Sequence, residues 1–372
     1  MKIIINSYDL QNAIEKAEKV MRKAPLPILE SVLIEAKDNA IKIAINNLES
    51  AIVINVDGYI EESGSFTIGK SNFKLIKKLG GELKISANNN EAEISANRNL
   101  KFKYYDPKGY PAIRTEVNKK AFDILESEFK AALKIKKFAS IEENRPVLCG
   151  LCIQGNSLIG LNGWRMGMYG LDIENQCNKD IIIPIQAINE LDKILKKNGN
   201  DKLSFDYFLE IKGIGDNAIE SIPYLKVSGY NFEYYTRLVE GEYMKVKDFI
   251  PSDFETNVQV TKRDLQESLD FASDILKEAN AGRKSDKLPV VFDIQDQFII
   301  NVVSEDKSME EKLESEISGN PVKIGFDPFY MTDILKAIED DKINMQFVSS
   351  VSPVVIKNDR ELYLICPVRL VS

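Results

Sequence analysis

Apolar residues recur at helical spacing near the start of the chain and at two later places. Positions 10, 13, 14, 17 and 20 are apolar, which is the spacing of a helix with one buried face. Asp9 stands where it could cap that helix. Similar patterns occupy 127–138 and 263–276. The spacing therefore predicts three copies of one amphipathic helix.

A second helical pattern also occurs three times, over 70–79, 185–195 and 327–338. Each copy leads through a polar turn into a stretch where apolar and polar residues alternate, which is typical of a half-buried strand. The 372 residues then divide into three repeats of about 124 residues, a usual domain size. We predict an α+β protein of three repeated domains, each with two helices packed on antiparallel sheets. The predicted domains are 1–120, 121–253 and 254–372.

The chain contains no histidine. This excludes Ser-His-Asp and Cys-His catalysis, a histidine general base and histidine-bearing zinc sites. No phosphate-binding loop with the G-x-x-x-x-G-K pattern is present, and the Gly213-Ile-Gly215 string lacks the third glycine of a dinucleotide fingerprint. Neighbouring carboxylates, such as Glu142-Glu143, fall in polar stretches that are typical of solvated charge. The usual histidine-dependent route of acid–base catalysis is therefore closed, and we expect no cofactor and no metal ion.

Two of the four cysteines, Cys149 and Cys152, form a C-x-x-C string inside the apolar run 146–153, which predicts a strand. Such a string suggests a redox pair or half of a zinc site, but no second pair completes a site. We predict two buried free thiols, as in a reducing compartment. The chain start is too short and too polar for a signal peptide, and no apolar run approaches the roughly 18 residues that span a bilayer. We expect a cytoplasmic protein with no membrane partner.

The chain carries 49 basic and 57 acidic residues, a net charge of −8, yet its lysines concentrate on predicted helices. Segment 70–78 has four lysines and no acidic residue, and segment 127–137 has four lysines and one acidic residue. Solvated helix faces and a polyanionic partner both explain this pattern. Because zinc-finger, RNP and helix-turn-helix signatures are absent, sequence-specific base recognition is not indicated.

The string Gly163-Trp-Arg-Met166 holds the only tryptophan, next to an arginine and between two strand-like runs. One interpretation is a turn that buries the tryptophan in the core. The other is an anchor on a binding surface, since tryptophan and arginine are enriched at interface hot spots. The sequence leaves both open.

Six strings, in order along a threefold repeat, resemble the beta subunit family of bacterial DNA polymerase III, the replicative sliding clamps. They are Ala24-Pro-Leu-Pro-Ile-Leu29, Asn46-Asn-Leu-Glu49, Gly160-Leu-Asn-Gly-Trp-Arg-Met166, Leu238-Val-Glu-Gly241, Val348-Ser-Ser-Val351 and Cys366-Pro-Val-Arg-Leu370. The resemblance implies a DNA polymerase processivity factor that is not itself an enzyme. Two chains would form a head-to-tail homodimeric ring, whose helices line a hole around double-stranded DNA without reading its sequence.

In this family, short peptides dock in an apolar cleft between the second and third domains. The implied partners are the catalytic subunit of DNA polymerase III, the clamp loader, and other replication and repair proteins that carry a clamp-binding motif. The positions that match the cleft are Leu148, Leu161, Gly163, Trp164, Arg165, Met166, Met244, Phe249, Val351, Pro353, Leu364, Pro367, Val368, Arg369 and Leu370. Trp164 replaces the usual histidine, Leu161 a threonine and Met244 a proline, so we expect an altered peptide preference.

The resemblance and the lysine pattern together suggest two further sets of residues. The predicted DNA contacts are Lys23, Lys70, Lys74, Lys77, Lys78, Lys134, Lys137, Arg145, Lys196 and Lys197. At the predicted dimer interface, Phe102 and Tyr104 of one chain meet Ile275 and Leu276 of the other.

Two alternatives belong to other classes of protein. One is an enzyme that uses carboxylates or lysine on a repeated scaffold, against which the missing histidines and motifs count. The other is a clamp paralogue that keeps the ring but serves as a scaffold for non-replicative partners. The altered cleft is the only feature that favours the paralogue.

Overall fold

A computed structural model describes residues 1–113, 119–176, 179–212, 220–281 and 288–370. The α-helices within these ranges are α1 (Ser7–Glu18), α2 (Phe73–Ile76), α3 (Glu126–Ala132), α4 (Ile185–Ile194), α5 (Lys262–Ala279) and α6 (Pro328–Leu335). Short 3-10 helices occupy Pro27–Glu30, Lys70–Asn72, Pro107–Gly109, Leu133–Phe138, Pro146–Leu148 and Val246–Phe249. None of these helices is long and apolar enough to cross a lipid bilayer.

Strands make up most of the remaining described chain. The first thirteen are β1 (Lys2–Asn6), β2 (Ser31–Lys37), β3 (Ala40–Asn46), β4 (Ser50–Val56), β5 (Gly58–Glu62), β6 (Gly64–Gly69), β7 (Glu82–Asn88), β8 (Glu91–Ser95), β9 (Asn99–Lys103), β10 (Lys119–Leu125), β11 (Gly150–Gln154), β12 (Ser157–Leu161) and β13 (Arg165–Gly170). The others are β14 (Ile181–Pro184), β15 (Lys202–Lys212), β16 (Glu220–Ser228), β17 (Phe232–Arg237), β18 (Thr256–Thr261), β19 (Val290–Ile294), β20 (Phe298–Val303), β21 (Ser308–Leu313), β22 (Ser315–Gly319), β23 (Val322–Phe326), β24 (Lys342–Phe347), β25 (Val354–Lys357) and β26 (Glu361–Ile365).

The chain forms two compact units, and each unit draws on two stretches of sequence. The first unit comprises Met1–Ala131 and Asp172–Glu240, and the second comprises Ala132–Leu171 and Gly241–Ser372. The predicted middle domain, 121–253, contributes residues to both. The two domain boundaries, predicted near 120 and 253, stay a prediction.

The first unit contains two antiparallel sheets. One has the strand order β5-β1-β7-β8-β9, and the other has the order β10-β15-β16-β17-β4-β3-β2-β6. In the second sheet, β17 pairs with β4, so that Tyr235 lies opposite Ala51. Strands from before and after the predicted boundary at 120 therefore share one sheet. Helix α1 packs on β3 and β4. Its Leu10 and Ile14 are both buried, as expected for residues four apart, which lie on one helix face.

The second unit repeats this arrangement. Its strands β11-β12-β13-β26-β25-β24-β18-β22 follow one another in one sheet, and β21-β20-β19-β23 form another. Here β13 pairs with β26, which places Met166 opposite Leu364. Helix α5 packs against α6. The predicted fold class, helices packed on repeated antiparallel sheets, is confirmed.

All six predicted helical segments contain a helix, but two details differ. The N-cap of α1 is Asn6, whose Oδ1 accepts a hydrogen bond from the Tyr8 amide at 2.9 Å, and Asp9 lies in the first turn instead. In the segment 127–138, α3 ends at Ala132 and the chain continues as a 3-10 helix. The apolar spacing predicted the buried face but not this change of winding.

The prediction for the C-x-x-C string is only partly correct. Cys152 is a buried free thiol in β11, as expected. Cys149 directly follows a 3-10 turn, outside the strand, and is half-buried. Burial and the nearby Glu143 and Glu142 carboxylates raise the pKa of the Cys149 thiol. Cys177 lies outside the described residues.

Candidate functional site

The turn between β12 and β13 presents Trp164 to solvent. The Asn162 Oδ1 accepts hydrogen bonds from the amides of Trp164 and Arg165, both at 3.0 Å. Gly163 has a φ of +92°, in the left-handed region that glycine adopts without a steric penalty. With these restraints, the Trp164 side chain points away from the core and is 60% exposed. The exposure of Trp164 contradicts the interpretation of a tryptophan buried in the core, and its role as a binding anchor stays a prediction.

A row of buried apolar side chains lies beside this turn. Leu161 of β12 is paired with Met166 of β13, which is paired with Leu364 of β26. Directly opposed residues in neighbouring strands project to the same face of a sheet. The three side chains therefore form a continuous apolar strip. The Cys366 amide donates to the Trp164 carbonyl at 2.8 Å and holds the exposed turn at the end of the strip.

Arg165 fixes the base of the same turn. Its guanidinium forms an ion pair with Asp333 of α6 and donates to the Lys137 carbonyl at 2.9 Å. It also lies over the Tyr330 ring, 4.6 Å from the centroid, and over the Phe138 ring at 5.3 Å. Because only 10% of the Arg165 side chain is exposed, these contacts replace most of its hydration.

The structure places the other predicted cleft residues in three situations. Leu148 is buried, whereas Met244, Phe249, Val351 and Arg369 are exposed. Pro353, Pro367, Val368 and Leu370 are half-buried. The chain end lies along β23, because the Val368 amide donates to the Gly325 carbonyl at 2.8 Å. The exposed apolar members and the strip all belong to the second unit.

Most of the predicted DNA contacts are exposed cations. These are Lys23, Lys70, Lys74, Lys78, Arg145, Lys196 and Lys197. Lys77 is also exposed, but its ammonium is 2.6 Å from the Glu18 carboxylate of α1. Lys134 forms an ion pair with the buried Glu361 and lies over the Tyr169 ring. These two lysines are therefore less available to a phosphate than the sequence suggested.

Lys137 is half-buried in a cluster of cations, of which Arg165 and Lys336 lie outside the lysine-rich segments that the sequence pattern singled out. Burial lowers the pKa of Lys137, Asp333 opposes this effect, and Arg165, Lys336 and Lys134 add to it. Lys336 is exposed in the turn that follows α6. Because the segment 327–341 carries a net negative charge, the sequence pattern did not single out Lys336 as a possible DNA contact.

The predicted dimer residues lie on two elements. Phe102, in the edge strand β9, and Tyr104, directly after it, are half-buried, and the Tyr104 ring packs edge-on against Phe66. Ile275 is half-buried on α5, but Leu276 is 0% exposed within its own chain. The prediction that Leu276 meets a second chain is thus wrong, because this side chain fills the core beneath α5. Phe271, on the same helix, is 61% exposed and was not among the predicted dimer residues.

Within the described ranges, no group of three or more aspartate, glutamate or cysteine side chains is placed to hold a metal ion.

Two known domain families match the N-terminal and the C-terminal parts of the chain. Residues 1–114 match the family described as DNA polymerase III beta subunit, N-terminal domain. Residues 247–368 match the DNA polymerase III beta subunit, C-terminal domain. The two matches together span more than half of the chain and follow the order of that family. The chain belongs to the DNA polymerase III beta subunit family, the bacterial sliding clamps.

Relatives and solved structures agree with this assignment over the whole length. The beta sliding clamp of Staphylococcus epidermidis is 28% identical over 388 aligned residues, which cover 98% of both chains. The beta subunit structure from Streptococcus pyogenes covers 100% of both chains with 21% identity and a TM-score of 0.85. The sliding clamp of Bacillus subtilis covers both chains equally, with 21% identity and a TM-score of 0.84. These comparisons do not favour the scaffold paralogue.

Proposed function

We propose that two copies of this chain close around double-stranded DNA and act as a DNA polymerase processivity factor. The ring tethers the catalytic subunit of DNA polymerase III, and the clamp loader and repair proteins use the same cleft. The chain itself is a non-catalytic subunit that needs no cofactor and works in the cytoplasm. The observation that carries this proposal is the exposed Trp164 turn beside its apolar strip, in a chain of the beta subunit family. In this proposal the three domains are 1–120, 121–253 and 254–372.

The strand pairings support closure of the ring. Within the chain, β4 pairs with β17 and β13 pairs with β26, so the same junction occurs twice. The corresponding strand of the third repeat is β21, which lies at the edge of its sheet, and β9 lies at the edge of another sheet. Open strand edges invite pairing with another chain. Pairing β21 of each copy with β9 of the other makes two heterologous contacts that close on themselves.

Both internal junctions use one register. In the first junction, Ala51 pairs with Tyr235. Ala51 lies four residues after Asn47, the asparagine of the turn before β4. Tyr235 lies three residues after Phe232, whose carbonyl closes the hairpin before β17. In the second, Met166 and Leu364 have the same two offsets, from Asn162 and Glu361. The repeated register is a property of the junction, since the paired residues differ.

Applying this register to the open edges predicts the contacts between the two chains. In the turn before β21, the Ser304 hydroxyl accepts from the Lys307 amide at 3.0 Å, the role of the asparagine in the other two turns. The hairpin before β9 has Arg98 at the matching position. Ser308 of one chain should therefore lie opposite Lys101 of the other. This register also brings Lys103 opposite Asp306, a favourable pairing of charges.

Cysteine cross-linking tests the register. We expect the variant with Lys101→Cys and Ser308→Cys to form a covalent dimer under mild oxidation, because opposed β residues bring their Cβ atoms within disulfide range. The matched control combines Lys103→Cys with Ser308→Cys, which shifts one partner by two residues on the same face. Equal cross-linking in both variants, or none in either, would contradict the proposed closure.

Peptide binding tests the cleft separately. A peptide that carries glutamine followed by leucine and phenylalanine should change the fluorescence of Trp164, the only tryptophan. We expect Met166→Ala to weaken this peptide by about 30-fold, since truncation of a central anchor costs about 2 kcal/mol. Met168→Ala, on the same strand but outside the proposed cleft, is the control. If Trp164 fluorescence does not respond to any such peptide, the cleft assignment fails.

A further inference from the structure

The turn between β3 and β4 repeats the turn that carries Trp164. Its Asn47 Oδ1 accepts hydrogen bonds from the amides of Glu49 and Ser50, at 3.0 and 2.8 Å. The Asn47 amide in turn donates to the Ser50 carbonyl at 3.0 Å. The same three hydrogen bonds hold the turn between β12 and β13. The turn at Asn358, between β25 and β26, has these three hydrogen bonds as well, so what sets the Asn47 and Asn162 turns apart is their surroundings.

The surroundings of the turn are repeated as well. The Glu49 carbonyl accepts from the Arg237 amide at 3.1 Å, in the place of the bond between Trp164 and Cys366. Ala51 lies opposite Tyr235 in the neighbouring strand, as Met166 lies opposite Leu364. In the second unit this arrangement borders the proposed peptide cleft. The proposed function does not use the corresponding arrangement in the first unit.

Leu48 occupies the position of Gly163 in the repeated turn. Its φ of +76° lies in the left-handed region, which strongly disfavours a side chain. The Leu48 side chain is nevertheless apolar and 62% exposed. Backbone strain of this kind clusters at sites that bind ligands, where the surrounding structure maintains it.

A cavity of about 240 Å³ opens beside this turn. Its apolar lining comprises Ala51, Ala112, Ile113, Phe208, Tyr224 and Tyr235. The Phe208 and Tyr224 rings are stacked, with centroids 5.4 Å apart and planes inclined by 15°. The cavity is open to solvent, and Asn46, Glu49 and Ser50 add polar groups to its lining. Its volume exceeds the roughly 150 Å³ in which an enclosed apolar cavity binds benzene, so one aromatic side chain would fit against the stacked rings.

The mouth of the cavity carries a negative charge. Glu49, which lines it, stands where the other turn has Trp164, and its side chain is 66% exposed. The Arg22 guanidinium forms ion pairs with both Glu49 and the buried Glu190. One cation thus faces two carboxylates, so the three groups together carry one net negative charge, and Glu49 is the exposed carboxylate of the two. An approaching ligand would gain from a basic group at this point.

We propose that this cavity is a second peptide-docking site, which takes a segment with an aromatic side chain next to basic residues. The aromatic ring would fill the cavity against Phe208 and Tyr224, and the cation would face Glu49. The proposal goes beyond the processivity function, which needs only the cleft beside Trp164. Either site can therefore fail without the other.

Fluorescence anisotropy of a labelled peptide tests the proposal on the full chain. The probe is fluorescein-labelled Gly-Ser-Arg-Arg-Phe-Gly-Ser-Gly, and the control peptide has two glutamates in place of the arginines. We expect the basic probe to bind with a dissociation constant below about 100 μM, and at least tenfold more tightly than the acidic peptide. Ala112 is exposed and lines the cavity. Ala112→Trp should lower the affinity for the probe at least about tenfold, because the larger indole side chain would occupy the cavity. Trp164→Ala should leave its affinity unchanged.

A second variant keeps the test decisive if Ala112→Trp disturbs the fold, which urea unfolding would reveal. Glu49→Gln should remove most of the preference for the basic over the acidic peptide, since it removes the exposed charge. Loss of the probe in Trp164→Ala together with binding in Ala112→Trp would place it in the other cleft and overturn the proposal. Absence of binding, or an undiminished basic preference in Glu49→Gln, would overturn it as well.

Discussion

The Arg165 guanidinium forms an ion pair with the Asp333 carboxylate, and this contact joins the exposed turn that carries Trp164 to helix α6. The same arginine donates to the carbonyl of Lys137, in the 3-10 helix that carries the cation cluster. A single side chain therefore connects the apolar strip with two helical elements of the second unit. Disturbing this pair should affect both stability and the surroundings of Trp164.

Asp333→Asn should lower the free energy of unfolding by about 1–3 kcal/mol, because a largely buried guanidinium loses its charged partner. Urea unfolding measures this loss, and the emission maximum of Trp164 in the folded state should shift with it. Asp359→Asn, which changes an exposed carboxylate in a turn of the same unit, is the control and should be nearly neutral. If both variants behave alike, Arg165 does not depend on Asp333.

Substitutions at Gly163 and at Leu48, the two turn positions with left-handed backbone, should change the stability of the fold in opposite directions. Gly163→Ala should destabilise the fold by about 1 kcal/mol or more, because its φ of +92° penalises a Cβ atom and that atom would lie 3.3 Å from Arg145 Nη1. Leu48→Gly should be neutral or stabilising, since it relieves the same strain at a φ of +76°. Thermal unfolding of the two variants beside the wild type gives both signs. A stabilising Gly163→Ala would show that the left-handed geometry is wrong.

The repeat and its helices could be predicted from the sequence because apolar spacing reports which face of an element is buried. The same spacing could not separate a core side chain from an interface side chain, which is why Leu276 was misplaced. It also could not decide whether Trp164 was buried, because this depends on the Asn162 hydrogen bonds and on pairing with a strand about 200 residues away. The repeated turn at Asn47 escaped notice since its residues, apart from asparagine, differ from those of the second turn.

The lysines of the segment 70–78 should contribute unequally to DNA binding. Lys74 and Lys78 are exposed, and neither makes an ion pair within the described part of the chain, whereas Lys77 is paired with Glu18. Each lysine that contacts a phosphate adds about 0.9 to the slope of log affinity against log salt concentration. Lys74→Gln and Lys78→Gln, each made alone, should therefore reduce that slope more than Lys77→Gln does, measured by anisotropy on linear duplex DNA. Equal effects would mean that the pair with Glu18 opens on binding.

Acid stability should depend on Asp123. Partial burial acts to raise the pKa of this carboxyl, but hydrogen bonds from Lys120, Lys202 and Ser204 lower it to about 2. Because the pKa in the unfolded chain is about 3.9, the contribution to stability is present above that pH and is lost as the pH falls towards 2. Asp123→Asn should flatten the stability profile in this interval, measured as the urea midpoint at each pH. An unchanged profile would show that these bonds are weak in solution.

The central claim, that two copies enclose duplex DNA, is tested most directly by retention on circular and linear DNA. Ring closure is a topological link, so the protein, once loaded by its clamp loader, should stay on a nicked circular plasmid during gel filtration at high salt. Cutting the plasmid once should release it, because phosphate contacts alone are screened under these conditions. Rapid release from the uncut circle, or equal retention on both forms, would contradict the account.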